Sequence, residues 1–161
     1  MERTLNILLV EDSADDVFFF RDAFEKAGGS GALHAVSDGI EALAYLNGEG
    51  LYGDRTTYPF PDVLLLDLNM PRMNGFEVLQ WVRQSPRCNG LVVHVLTSSV
   101  READVARAYA LRANGYVVKP TRISELAAFV SALLGWHRFL SFPEETDDLT
   151  LPSRRLSPVR G

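Results

Sequence analysis

The chain has 161 residues, 47% of them hydrophobic and 23% charged, with a formal net charge of −5. Such proportions suit an ordinary soluble domain, which at this length buries roughly 70% of its unfolded surface without help from a disulfide or structural metal; a single cysteine, Cys88, fits a reducing cytoplasmic compartment. The acidic balance argues against nucleic acid as the main partner, no apolar run is long enough to span a membrane, and the start at Met1 does not read as a signal peptide.

In chain order, residues 5–10 form a nearly continuous apolar run that ends in Glu11-Asp12-Ser13. That is the pattern of a strand buried on both faces, as in a parallel sheet covered by helices. Ser13 can cap a helix running to about Ala27, where Gly28-Gly29 stop it. A weaker strand follows at 33–36. Asp38 opens a second helix through Leu46, with Ile40, Leu43, Ala44 and Leu46 expected as its apolar positions. Residues 48–61 read as an enlarged loop, and 63–66 as a third strand. A helix from Asn74-Gly75 to Gln84 closes before Pro86. Then come a strand at 91–96, a helix at 101–113, a strand at 116–118 and a helix at 123–134 after Pro120. Five strand–helix alternations predict a doubly wound α/β domain over residues 4–134, with right-handed crossovers. An aromatic extension of the last helix is expected at 135–143. Residues 144–161, with almost no apolar content, read as a disordered tail.

In open parallel sheets, ligands gather at the carboxyl ends of the strands. Glu11 and Asp12 follow the first strand and Asp67 the third. If these strands are neighbours, their carboxylates share one crevice, where two of them about 5 Å apart repel by roughly 3 kcal/mol. A hard divalent cation with oxygen ligands offsets that, and Mg²⁺ needs only two carboxylates and a backbone carbonyl beside its waters. Thr97 ends the fourth strand and Lys119 the fifth. The chain holds two lysines against fourteen arginines, so a lysine here is notable: a compact ammonium suits one phosphoryl oxygen. The set fits metal-assisted phosphoryl transfer to a carboxylate. Singly, each residue has a plainer reading as a cap, a turn residue or a solvated lysine. Their joint order on four strand ends is hard to obtain by accident.

These residues resemble the receiver domain of two-component response regulators. The matching pieces are Glu11-Asp12, Asp38-Gly39-Ile40-Glu41-Ala42-Leu43, Asp67-Leu68-Asn69-Met70-Pro71, Met73-Asn74-Gly75, Thr97-Ser98 and Gly115-Tyr116-Val117-Val118-Lys119-Pro120. The resemblance implies a flavodoxin-like (βα)₅ fold with strand order 2-1-3-4-5. It implies that Asp67 accepts a phosphoryl group from a sensor histidine kinase. Asp12, Asp67 and the Asn69 carbonyl would ligate Mg²⁺, with Glu11 acting through water. Lys119 and Thr97 would contact the phosphoryl oxygens, and Tyr116 would couple to Thr97 as the switch.

Only 27 residues follow Leu134, too few for a DNA-binding output module, so a freestanding regulator is expected. Phe129, Leu133, Trp136 and Leu140 fall within about 60° of one another if the last helix continues, and are expected as a homodimer face. Phe18 and Phe19 on the first helix are candidates for kinase docking. The enlarged loop, Ala113-Asn114-Gly115-Tyr116 and the aromatic extension are similar to freestanding regulators paired with phytochrome-type kinases. Two other functions fit the same residues: a receiver-like scaffold independent of phosphorylation, and a metal-dependent phosphohydrolase. Cys88 carries no motif and reads as an inert thiol. His34, His94 and His137 show no metal spacing, and His94 reads as a satisfied core residue.

Overall fold

A computed structural model describes residues 4–142. Five parallel strands are β1 (Ile7–Val10), β2 (Leu33–Val36), β3 (Val63–Leu66), β4 (Val92–Thr97) and β5 (Gly115–Val118). The helices between and after them are α1 (Ala14–Lys26), α2 (Gly39–Asn47), α3 (Gly75–Gln84), α4 (Glu102–Ala110) and α5 (Ile123–His137). The sheet order is β2-β1-β3-β4-β5, as the resemblance implied. Residues 144–161, expected as a tail, lie outside the described residues.

The apolar runs in the middle of the sheet are continuous because both faces are covered. Along β1 and β3, alternate side chains feed two separate cores. Leu8, Val10, Leu64 and Leu66 meet α2 and α3 through Tyr45, Leu46, Val78 and Leu79. Ile7, Leu9, Val63 and Leu65 meet α1 and α5 through Phe20, Phe24, Val130 and Leu133. Period-2 alternation thus sorts one apolar sequence into two layers.

Caps begin the first three helices. Ser13 and Asp38 accept the N–H three residues on, and Asn74 with Glu77 forms a reciprocal capping box. The enlarged loop contains a 3₁₀ turn at Gly50–Gly53 and is tied down by Arg55, whose guanidinium donates to the carbonyls of Tyr45 and Leu46, both at 2.9 Å. That satisfies acceptors left over at the end of α2.

Several expectations need correction. The buried face of α2 is Ala42, Tyr45 and Leu46, while Ile40 is 48% exposed, because the helix packs on Tyr45 and the aromatic side of the loop. Helix α4 stops at Ala110, since Arg112 adopts a left-handed backbone conformation (φ 64–65°, shared with Arg72) that breaks the helical path. Helix α5 runs through Gly135 to His137. Leu133 cannot serve a dimer face: it is buried in the α1–α5 core, and Phe129 and Leu140 pack against the same cluster. Of that stripe only Trp136 stays largely exposed, beside Phe139, which the stripe omitted.

Phe142 folds back on the domain, stacking on His137 with ring centroids 5.8 Å apart. His137 Nδ1 donates to the Leu133 carbonyl at 2.7 Å, which leaves its Nε2 to accept from His94 Nε2–H at 3.2 Å. Burial and the neighbouring His137 push His94 down to about 4 from 6.5. The unfolded chain therefore takes up that proton first, and stability falls as pH drops from about 6.5 toward 4. Urea unfolding at pH 7 and pH 5 should show a pH-dependent loss that His94→Gln reduces by about 1–2 kcal/mol. An unchanged loss in the variant would remove His94 from the acid sensitivity.

Candidate functional site

The ladders of β1, β3 and β5 each continue one residue past the strand end, and that carries the site. Glu11 N–H donates to the Val36 carbonyl at 3.0 Å, Asp67 N–H to the Val10 carbonyl at 3.0 Å, and Lys119 N–H to the Thr97 carbonyl at 2.8 Å. Backbone pairing thus lines up Glu11, Asp67, Thr97 and Lys119 along one edge of the sheet. Glu11, Asp67 and Thr97 are buried there, Asp12 is exposed, and Lys119 is half-buried.

Oxygens of Glu11, Asp12 and Asp67 lie within 4.8 Å of one another. Hard anionic donors this close suit a divalent cation with retained waters. The Lys119 ammonium enters the same crevice, with Nζ 2.6 Å from Glu11 Oε2, 2.9 Å from Asp16 Oδ2 and 3.3 Å from Asp67 Oδ2. Burial pushes the Glu11 carboxyl up to about 7, against the hydrogen bonds from Lys119 and Ser13. Burial alone would depress the Lys119 ammonium, but hydrogen bonds to Glu11 and Asp16 and the Asp67 charge hold it well above its ordinary value. The Asn69 N–H faces Asp67 Oδ1 at a long 3.4 Å.

The loop after β3 is gripped from two sides. Gly75, the first residue of α3, sits so close that a Cβ there would lie 2.1 Å from the Asp67 carbonyl oxygen. Arg72 holds its left-handed conformation while Nε donates to Asp38 Oδ2 at 2.8 Å and Nη2 contacts the same oxygen. Asp38 caps α2 with its other oxygen. Although burial opposes it, the Glu41 N–H and the Arg72 guanidinium keep the Asp38 carboxyl below its usual range.

Thr97 and Tyr116 meet through one residue. The Thr97 hydroxyl oxygen faces the Ser99 N–H at 3.4 Å, while the Tyr116 hydroxyl donates to the Ser99 carbonyl at 3.0 Å. Phe18 and Phe19 are 66% and 40% exposed on α1. Phe19 lines a cleft of about 560 Å³ that also includes Glu11, Asp16, Lys119, Pro120 and Ile123. The structure therefore brings Glu11, Asp12, Asp67, Thr97 and Lys119 together, with Tyr116 one residue removed. Phe19 borders that group through the cleft, while Phe18 and Trp136 lie outside it.

Sequence reasoning missed Asp16, the Arg72–Asp38 pair and the meeting of His94 with His137. Asp16 stands three residues after Ser13, where an acid ordinarily reads as part of a capping box. The other two join residues 34 and 43 positions apart, with no local signal.

Fold and crevice define a doubly wound α/β domain that collects oxygen donors for a cation, an ammonium and a hydroxyl at the carboxyl edge of its sheet. The chain belongs to the response regulator receiver domain family, whose pattern matches residues 7–131. It is 38% identical to the probable methanogenesis regulatory protein FilR2 of Methanothrix harundinacea, over 82% of this chain and 85% of that one. It is 35% identical to response regulator Rcp1 of Synechocystis, covering 79% of this chain and 84% of that one. A structure of the Mn²⁺-bound form of Rcp1 superposes with a TM-score of 0.78, at 33% identity over 87% of this chain and 99% of that one. The phosphorylated cyanobacterial phytochrome response regulator RcpA superposes at 0.80, with 33% identity over 88% of this chain and 100% of that one. Among the described residues, no helix is long and apolar enough to cross a membrane.

Gly75→Ala should cost about 2 kcal/mol in denaturant unfolding, because the added methyl meets backbone rather than a yielding side chain. Gly135→Ala, with nothing within 4 Å of its Cβ position, is the control and should be neutral or gain up to about 1 kcal/mol. Equal effects at the two sites would contradict the close approach at Asp67.

Proposed function

We propose that the chain acts as a phosphoacceptor in a histidine-to-aspartate relay. The observation that carries this reading is the buried Asp67 carboxylate, set among acidic neighbours with the Lys119 ammonium 3.3 Å from Oδ2. An Asp67 oxygen attacks the phosphorus of a kinase phosphohistidine. The O–P bond forms as the P–N bond breaks, and the imidazole nitrogen keeps the electron pair and takes up a proton. Asp12, Asp67 and the Asn69 carbonyl would hold Mg²⁺, with Glu11 acting through water. When bound, the ion offsets carboxylate charge and polarises the phosphoryl oxygens. Water later hydrolyses the aspartyl phosphate and resets the protein.

Lys119 pairs with the new phosphoryl oxygens, and the Thr97 hydroxyl turns toward one of them. That turn gives up the Ser99 N–H, on the residue whose carbonyl anchors Tyr116. A single charge event thereby frees the loop after β4 and alters the surface around Tyr116. Similarity to the phytochrome response regulator RcpA supports a phytochrome-type histidine kinase as the phosphoryl source, with Phe18 and Phe19 at its docking surface. The exposed rings of Trp136 and Phe139 support self-association at the end of α5, in a cytoplasmic protein.

Intact-mass measurement after incubation with Mg²⁺ and a small acyl phosphate tests the reading. One added phosphoryl group is expected, lost on omitting Mg²⁺ and absent from Asp67→Asn. No label on the wild-type chain, under conditions where hydrolysis is too slow to hide it, would leave a phosphorylation-independent scaffold as the better account.

A further inference from the structure

The acid at the third position of a capped helix ordinarily reaches back to the N–H at or next to the cap. Glu77 does so in α3, accepting the Asn74 N–H at 2.8 Å, and Glu41 in α2 accepts the Ser37 N–H at 3.1 Å. Asp16 holds that position in α1 and does something else. The Ser13 N–H is already taken by Glu11 Oε1 at 3.0 Å, so the Asp16 carboxylate turns outward to Lys119 Nζ at 2.9 Å, 103 residues further along the chain.

An ammonium has three N–H groups, and here each faces a carboxylate: Glu11 at 2.6 Å, Asp16 at 2.9 Å and Asp67 at 3.3 Å. A phosphoryl group on Asp67 brings close to two negative charges and further acceptor oxygens, so Lys119 must yield a partner to meet it. The Glu11 side chain is 2% exposed and is costly to leave without a counter-charge. The Asp16 side chain is 47% exposed, and water solvates it as the ammonium leaves.

We infer that Asp16 is a positioning residue: it holds Lys119 while the acceptor is unmodified, competes with the phosphoryl group for it, and is released when Asp67 is modified. The inference rests on the phosphoacceptor reading of Asp67. Its consequence reaches the surface, because Asp16 shares the wall of the cleft with Phe19, Pro120 and Ile123. Modification of Asp67 thus leaves an unneutralised carboxylate in that cleft, available to a partner that senses charge.

Binding of beryllofluoride with Mg²⁺, a stand-in for the phosphoryl group, tests this by isothermal titration calorimetry on the full chain. Asp16→Asn should bind about two- to fivefold tighter than wild type, the size expected for losing one half-exposed competing ion pair. Asp16→Glu should return toward wild type. Asp15→Asn, which removes a charge from the same helical turn, should leave affinity unchanged. With only two lysines in the chain, ¹⁵N-lysine spectra in a Lys26→Arg background follow the Lys119 ammonium alone. Its signal should exchange faster with water in free Asp16→Asn and become alike in both proteins once beryllofluoride is bound. Equal or weaker binding by Asp16→Asn, or an equal gain from Asp15→Asn, overturns the inference alone. Failure of the wild-type chain to bind, or binding retained in Asp67→Asn, overturns the phosphoacceptor reading and this inference with it.

Discussion

One ammonium among four acids is the constraint on which the site depends. Glu11, Asp12 and Asp67 bring like charges within 4.8 Å, and Lys119 stands between them and Asp16. Carboxylates at that spacing repel by roughly 3 kcal/mol per pair at an effective dielectric near 20. In the free protein, Lys119 is what offsets this at short range. The same charge that makes the crevice foldable also makes it receptive to a cation or a phosphoryl group, since either can take over part of that work.

The surrounding fold places these groups with little freedom. Three backbone bonds that extend the ladders set the heights of Glu11, Asp67 and Lys119. Gly75 lets α3 press on the Asp67 backbone, and Arg72 anchors the intervening loop to the cap of α2. The base of the acceptor is rigid, whereas its exits are soft. Thr97 and Tyr116 share Ser99 through one hydrogen bond each, that of Thr97 long at 3.4 Å, and Asp16 holds Lys119 from a solvated position. A local charge change therefore passes outward through the loop after β4 and the first turn of α1.

The far end of the domain has its own lock. Phe142 covers His137, which accepts a hydrogen bond from His94 on β4 and donates one to the turn above it. This closure fixes the end of α5 and turns Trp136 and Phe139 outward. The aromatic surface at that end is thus a consequence of which ring was chosen to close the core. Helical spacing assigned Trp136 to a homodimer face, and Phe142, five residues past the helix end, is the ring that closes the core.

Strand and helix order, the caps at Ser13, Asp38 and Asn74, and the acidic, hydroxyl and ammonium groups at the strand ends were all legible in the sequence. Each of these depends on short-range rules: an unbroken apolar run, a capping side chain, a residue next to the end of a strand. The buried face of α2, the end of α4 and the loss of Leu133 from the helix surface were not legible. They were decided by Tyr45 packing on a loop, by a left-handed Arg112 and by contact with α1. The pairings of Lys119 with Asp16, Arg72 with Asp38 and His94 with His137 also belong to the tertiary structure. Local propensity says what a residue can do where it stands; only the crossovers, which carry distant strands to one edge, say which residue will be its partner.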